Sequence, residues 1–174
     1  SLIPVAFSIV MVENLEFKEI KKTNQGTYAV LAQFSNSNFM YVFDEDLNII
    51  NSFEIDRGNV YINDFLPLHD NYIFVGRKNN KPYLVKTNSN GEHLFSNSLN
   101  RDGRYNTIKS FDNDFIVGGR LESEGRTNAY IAKFNRNGDR MWEDVYSRQN
   151  NEEINDIVFT LNEIIAVGQT NSNP

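Results

Sequence analysis

Apolar and polar positions along the chain fall into a pattern that occurs four times. Tyr72-Ile73-Phe74-Val75-Gly76-Arg77 comes back as Phe115-Ile116-Val117-Gly118-Gly119-Arg120, as Ile164-Ile165-Ala166-Val167-Gly168-Gln169 and, more loosely, as Tyr28-Ala29-Val30-Leu31-Ala32-Gln33. The small fifth residue falls at 32, 76, 119 and 168, so the periods are 44, 43 and 49 residues. Eleven residues upstream of the last three stand Phe65, Ile108 and Ile157, each closing a triplet: Asn63-Asp64-Phe65, Asn106-Thr107-Ile108 and Asn155-Asp156-Ile157. Downstream, residues 83–92 and 130–139 match position by position through Asn90-Gly91 and Asn137-Gly138, and Phe95 then coincides with Trp142.

Each unit reads as four strands. A first apolar run (60–66, 105–111, 154–160) leads through a polar tip to the repeated second run. That run is about five residues long and lacks polar alternation, which predicts a strand buried on both faces. Asn-Gly between the third and fourth strands predicts a type I′ hairpin turn. In the first unit the counterpart Asp44-Glu45-Asp46-Leu47-Asn48 has no glycine, so its turn is expected to be rebuilt.

Tandem sheets buried on both faces, with no helix between them, need neighbours to cover them. Periods of this size suit four-stranded blades or helical arrays. Helical arrays would show a 3.6-residue period and a sandwich a strict alternation, and neither is present. The expected fold is all-β: a β-propeller-like series of four-stranded blades with approximate units 15–56, 57–101, 102–149 and 150–174. The fourth unit carries only two strands and leaves residues 164–169 as an open apolar edge, a template for pairing. The ring is therefore expected to be completed by the apolar run 5–12 or by a second chain. Recurring Gly76, Gly119 and Gly168 are expected where neighbouring blades approach, with Leu121 to Asn128 as the longest loop insertion.

Composition narrows the class without naming a function. With 174 residues, 40% of them hydrophobic, the chain supports one domain with a sizeable core. Its net charge of −6, with basic residues scattered, argues against nucleic-acid binding. No run approaches the ~20 apolar residues of a membrane helix. Residues 1–14 have two readings. Leu2-Ile3-Pro4-Val5-Ala6-Phe7-Ser8 is like the end of a secretory signal, with Ala6 and Ser8 as the small residues of a cleavage site. Alternatively, 5–12 is a closing strand.

The segment Ala129-Tyr130-Ile131-Ala132-Lys133-Phe134-Asn135-Arg136-Asn137-Gly138-Asp139-Arg140-Met141-Trp142, with the Asn155-Asp156-Ile157 triplet and Ile165-Ala166-Val167-Gly168-Gln169-Thr170, resembles bacterial extracellular β-propeller repeats. The resemblance covers about residues 60–170 and implies a secreted or cell-surface protein of bacterial origin. The Gly-to-Trp stretch also resembles quinoprotein-like blades, in which the tryptophan docks between blades. By that resemblance Trp142, and more weakly Phe95, would take the same packing role.

Candidate chemistry is sparse. The turns at 88–92 and 135–139 put glycine fourth, whereas a calcium loop puts it sixth, so they read as hairpin turns rather than metal sites. The carboxylates of Asp44-Glu45-Asp46 read as a solvated turn. Two histidines, His69 and His93, without a cysteine leave no basis for a zinc site. No cofactor motif is present, and no catalytic residue is assigned. What recurs is a polar residue after the small one: Gln33, Arg77, Arg120 and Gln169, which a ring would gather near one face as a ligand-binding funnel. The expected function is a noncatalytic extracellular binding or scaffold module recognising a protein or glycan through its loops. The alternative is a polysaccharide hydrolase or lyase using funnel carboxylates.

Overall fold

The computed structural model describes residues 15–148, 150–161 and 163–171. The amino-terminal run, read above as signal or closing strand, lies outside them. Among the described residues the chain is all-β, with fourteen strands and no helix. The first sheet holds β1 (Glu16–Lys22), β2 (Tyr28–Phe34), β3 (Ser37–Phe43) and β4 (Ile49–Glu54). The second holds β5 (Val60–Pro67), β6 (Asn71–Lys78), β7 (Lys81–Asn88) and β8 (His93–Ser98). In the third are β9 (Gly103–Phe111), β10 (Asp114–Ser123), β11 (Arg126–Phe134) and β12 (Arg140–Tyr146). The fourth is a pair, β13 (Glu152–Phe159) and β14 (Ile164–Thr170). Every sheet is an antiparallel meander in chain order, and no sheet closes on itself.

The repeated motif has a structural cause inside each sheet. The first strand of the last three units carries a bulge, and the bulged residue is the asparagine of the triplet. Ile62 pairs Gly76 and Asp64 pairs Val75, with Asn63 left over; Asn106 and Asn155 are skipped in the same way. The extra residue bends the strand toward its neighbour. A Cβ on Gly76, Gly119 or Gly168 would lie 1.9, 2.1 or 1.8 Å from the carbonyl oxygen of Tyr61, Arg104 or Glu153, so in these three sheets glycine is what fits opposite the bulge. The close approach is thus to the adjacent strand of the same sheet, not to the neighbouring sheet as the sequence suggested. Within the repeated run, Gly118 is the glycine that meets another sheet, through the side chains of Ile154 and Ile157.

The bulged asparagines staple successive sheets. Asn63 donates to the Tyr105 carbonyl at 2.7 Å and Asn106 to the Ile154 carbonyl at 2.8 Å. Beside Asn63, the buried Asp64 carboxylate accepts the backbone N–H of Ile108 at 2.9 Å and takes the ammonium of Lys21. One carboxylate therefore ties together the first three sheets. Three apolar clusters fill the spaces between sheets in chain order. Leu31, Met40, Phe65 and Phe74 lie in the first, Ile73, Tyr105, Phe115 and Tyr130 in the second, and Ile116, Ile154 and Ile157 in the third.

Three turn expectations are corrected. At Asn88–Glu92 only Gly91 has positive φ, and Gly91 N–H donates to the Asn88 carbonyl at 3.1 Å, giving a type I turn ended by a glycine bulge instead of type I′. The two-residue turns with both φ positive are Asn79-Asn80 and Glu124-Gly125. The latter shows that 121–128 is no loop insertion, because β10 and β11 stay paired up to it. The first unit keeps the same turn that the glycine-containing units use. Asp44 N–H donates to the Asn48 carbonyl at 3.0 Å and Leu47 N–H to the Asp44 carbonyl at 3.2 Å, with Leu47 forced to φ 65° where the others have glycine.

Trp142 also departs from expectation. It is 39% exposed on β12, whereas Phe95, its match on β8, packs against the turn glycine of the third sheet, as Phe53, two residues beyond the matching place on β4, does against that of the second. The fourth sheet, two strands wide here, offers Trp142 no such glycine among the described residues.

Candidate functional site

The four recurrent polar residues sit opposite equivalent first-strand positions: Gln33 opposite Glu16, Arg77 opposite Tyr61, Arg120 opposite Arg104 and Gln169 opposite Glu153. Their partners separate them. Gln33 is spent on its own turn, donating to the Ser35 carbonyl at 3.0 Å. Arg77 lays its guanidinium over the Tyr61 ring, 4.5 Å from the centroid. Arg120 and Gln169 are brought together, because both reach Glu153.

Glu153 is the hub of this group and is 6% exposed. Its Oε1 accepts from Gln169 Nε2 at 2.6 Å, and its Oε2 accepts from Arg104 Nη2 at 2.9 Å. Arg120 Nη1 reaches the same Oε2 at 3.4 Å. Two guanidinium groups and an amide on one carboxylate give a charge-assisted cluster spanning β9, β10, β13 and β14. Arg120 also lies 3.8 Å from Glu122. The burial that makes such a cluster costly is offset only because nearly every lone pair of the hub has a donor.

Around the hub opens a groove of about 630 Å³ between the third and fourth sheets. The ends of β10 and β14, the Glu124-Gly125 turn and the segment Asn151-Glu152-Glu153 form its walls. Arg101, Arg120 and Arg126 face Asp102, Glu122, Glu124, Glu152 and Glu153 across it, so the lining is charged in both senses with an excess of carboxylates. Thr127 N–H, donating to Asn151 Oδ1 at 2.8 Å, ties the turn end of β11 to the segment entering β13. Three buried polar atoms have no partner among the described residues: Nε of Arg104, Nε of Arg120 and Oε1 of Glu152. Such atoms carry the desolvation cost of an unmade hydrogen bond, so a small shift that met a ligand would be favoured.

Elsewhere the buried titratable groups serve packing. Tyr130 donates to Glu143 at 2.6 Å; its burial, then that hydrogen bond, push the phenol up to about 12. Among the described residues no cluster of three metal-ligating side chains forms. No helix of the described residues is long and apolar enough to cross a membrane.

Glu153 and Arg104 were not singled out from the sequence. The signal was there: each stands two residues before the bulged asparagine of its triplet, the position held by Tyr61 in the second unit. What was missing was the register that sets this position opposite the recurrent polar residue.

Comparison with known proteins places the fold and nothing further. No family model matches the chain. Nor does any curated protein. Among solved structures it is similar to a protein of unknown function from Bacteroides caccae, at 14% identity and a TM-score of 0.63. The match takes in 88% of this chain and 56% of that one.

Proposed function

We propose that the four sheets are successive blades of a propeller-type repeat protein, and that it acts as a noncatalytic binding module whose ligand is a glycan held in the groove around Glu153. The meander order of every sheet, and the packing of β5, β9 and β13 each on the preceding sheet, support the blade reading. So does the likeness of residues 60–170 to bacterial extracellular propeller repeats, which is also what favours a secreted or surface location.

The observation that carries the ligand class is the mixed lining of the groove. Arg120, with its unpartnered Nε donor, and Glu152, with its unpartnered Oε1 acceptor, both line it. Hydroxyl groups both give and accept hydrogen bonds, so a sugar chain answers both with one kind of group. An anionic ligand would meet the carboxylate excess, and an apolar one would find little to bury. The groove is shallow and built on paired strands, which suits recognition by a prearranged wall.

The test is a glycan array probed with the full chain, followed by calorimetry on any hit. Arg120→Ala should weaken binding at least about tenfold, the worth of one to two charge-assisted hydrogen bonds. Affinity unchanged in both Arg120→Ala and Glu152→Gln would reject the groove as the site. A second reading, cleavage of the bound polysaccharide, draws on Glu122, Glu152 and Glu153 sharing one groove. New reducing ends released by the native chain but not by Glu152→Gln would favour it.

A further inference from the structure

We infer that a cleft at the other end of the sheets, where the last residues of β1, β5 and β9 come together, binds a small ligand through one phosphate monoester group. Lys21, Lys22, Lys109 and Arg136 are the residues that hold it. The cleft is separate from the groove around Glu153, and the inference does not rest on a glycan ligand there.

The groove lies where β9 and β13 begin, and the cleft where β1, β5 and β9 end. Its volume is about 570 Å³, within the range of small-molecule sites. All its walls come from the first three sheets, each four strands wide. Lys21 and Lys109 hold one register position, opposite Ala29 and Ile116, where the second sheet has Leu66 opposite Ile73. Lys22 is the last residue of β1, and Arg136 lies in the turn between β11 and β12. The fold thus gathers four cations from the first and third sheets around Leu66, Pro67 and Leu68 of the second. No Asp or Glu is among the residues that line this cleft, although the chain carries −6 overall and the groove has an excess of carboxylates.

Two of the four cations are already neutralised, Lys21 by Asp64 and Lys109 by Asp156 at 2.7 Å. The other two have no carboxylate partner among the described residues. Lys22 sets its ammonium over the Tyr28 ring, 5.8 Å from the centroid, and Arg136 donates from Nε to the Asn113 carbonyl at 2.6 Å. His69, also at the cleft, is paired with Asp70. Four positive charges against two carboxylates leave a surplus of two. A phosphate monoester carries about that charge near neutrality, and a single carboxylate would leave half of it unmet. The three N–H groups of Lys22 and the four on the Nη atoms of Arg136 answer its acceptor oxygens. Repulsion at the rim points the same way. Lys86, which donates to the Arg136 carbonyl at 3.2 Å, has its ammonium pushed below its ordinary value by burial first and then by the Arg136 charge, and a bound anion would relieve the second cause. The net charge of the chain repels a long polyanion, whereas a surplus confined to one cleft serves a single group.

The test is calorimetry of the full chain with glycerol 3-phosphate, and with succinate as a dianion whose charges sit on two separate carboxylates. Saturable binding of one glycerol 3-phosphate per chain is the expected result, with succinate at least about tenfold weaker. Arg136→Gln should weaken glycerol 3-phosphate at least about tenfold, because it removes a charge-assisted pair of donors. Arg136 also braces the turn before β10 through Asn113, so Lys22→Gln is the second variant; its ammonium meets only the Tyr28 ring, and the loss should be at least about threefold. Arg57→Gln takes the same charge from the opposite end of β5 and should leave the affinity unchanged. Thermal midpoints show which variants remain folded. No saturable binding overturns the inference, as do equal affinity for succinate, an equal loss in Arg57→Gln, or unchanged affinity in either cleft variant that keeps the native midpoint. Sedimentation with phosphatidylcholine vesicles containing phosphatidic acid, without binding of glycerol 3-phosphate, would give the cleft to a membrane surface and also overturns it.

Discussion

Leu47 holds a backbone conformation that its side chain opposes. Its φ of 65° is the left-handed conformation, which costs an L-residue with a Cβ on the order of 1–2 kcal/mol. The turn survives because Asp44 organises it: its carboxylate accepts Asn48 N–H at 2.8 Å and the Asn48 amide as well. Those bonds from Asn48 hold the Asp44 carboxyl below its ordinary value. Leu47 is also 38% exposed, so shortening it sacrifices less packing than at a buried leucine. Leu47→Gly should therefore raise stability, by about 0.5–1 kcal/mol after the added freedom of the unfolded chain is deducted. A urea titration checks it through a higher midpoint at unchanged slope.

At the level of elements, the hairpin of first and second strands is the unit that repeats, and its bulge explains the asparagine and the glycine together. The asparagine is pushed out of register and freed to bond the next sheet, while the carbonyl two residues before it is driven against the glycine. Gly119→Ala places a methyl group 2.1 Å from the Arg104 carbonyl oxygen, and backbone has to move to relieve it. The expected cost is about 1–3 kcal/mol, read as a lower thermal midpoint. Gly125→Ala is the control: nothing lies within 4 Å of the added methyl, so only the φ of 77° opposes it. Ala32 holds the same position in the first sheet, opposite a bulge in the same register with Lys18 as the skipped residue, so that sheet accepts a Cβ there. The triplets and the small residues were legible in the sequence as a fixed spacing of eleven. Their meaning was not, because a glycine near a carbonyl and a glycine between sheets leave the same letter.

Across the whole molecule, carboxylates tie strands and sheets to one another, and this gives stability an acid limit. Burial alone would raise Asp56, but hydrogen bonds from Lys78, Tyr83 and the Arg57 amide outweigh it and hold the carboxyl below 3.8. For Glu143 burial is likewise outweighed, by Tyr130, Arg101 and Arg140, and for Asp156 the hydrogen bond from Lys109 lowers the carboxyl directly. Each has a folded value below its unfolded one. Its contribution is therefore present above the unfolded value and lost as pH falls through the folded value. Thermal midpoints should hold near neutrality and drop between about pH 5 and pH 3. Part of that drop should vanish in Asp56→Asn, an exchange that keeps a residue tolerant of the left-handed φ of 49° found there. A midpoint that stays level to pH 3 would remove these pairs from the account of stability.

The sequence by itself determined the repeat, the strands and the meander of each unit. These follow from local order: a buried central strand must be apolar without alternation, and turn residues must punctuate it, wherever the rest of the chain lies. Tertiary structure alone decided three things. The turn at Asn90-Gly91 is type I with a bulge because φ at Asn90 depends on how the two strands twist together, which the dipeptide does not specify. Arg120 and Gln169 converge, while Gln33 and Arg77 do not, because Glu153 sits 33 residues from Arg120 and only inter-sheet packing brings it within reach. Trp142 is open to solvent although Phe95, its match in the sequence, is covered. Burial belongs to the neighbour as much as to the residue, and the side chain that would cover Trp142 is not written in its own unit.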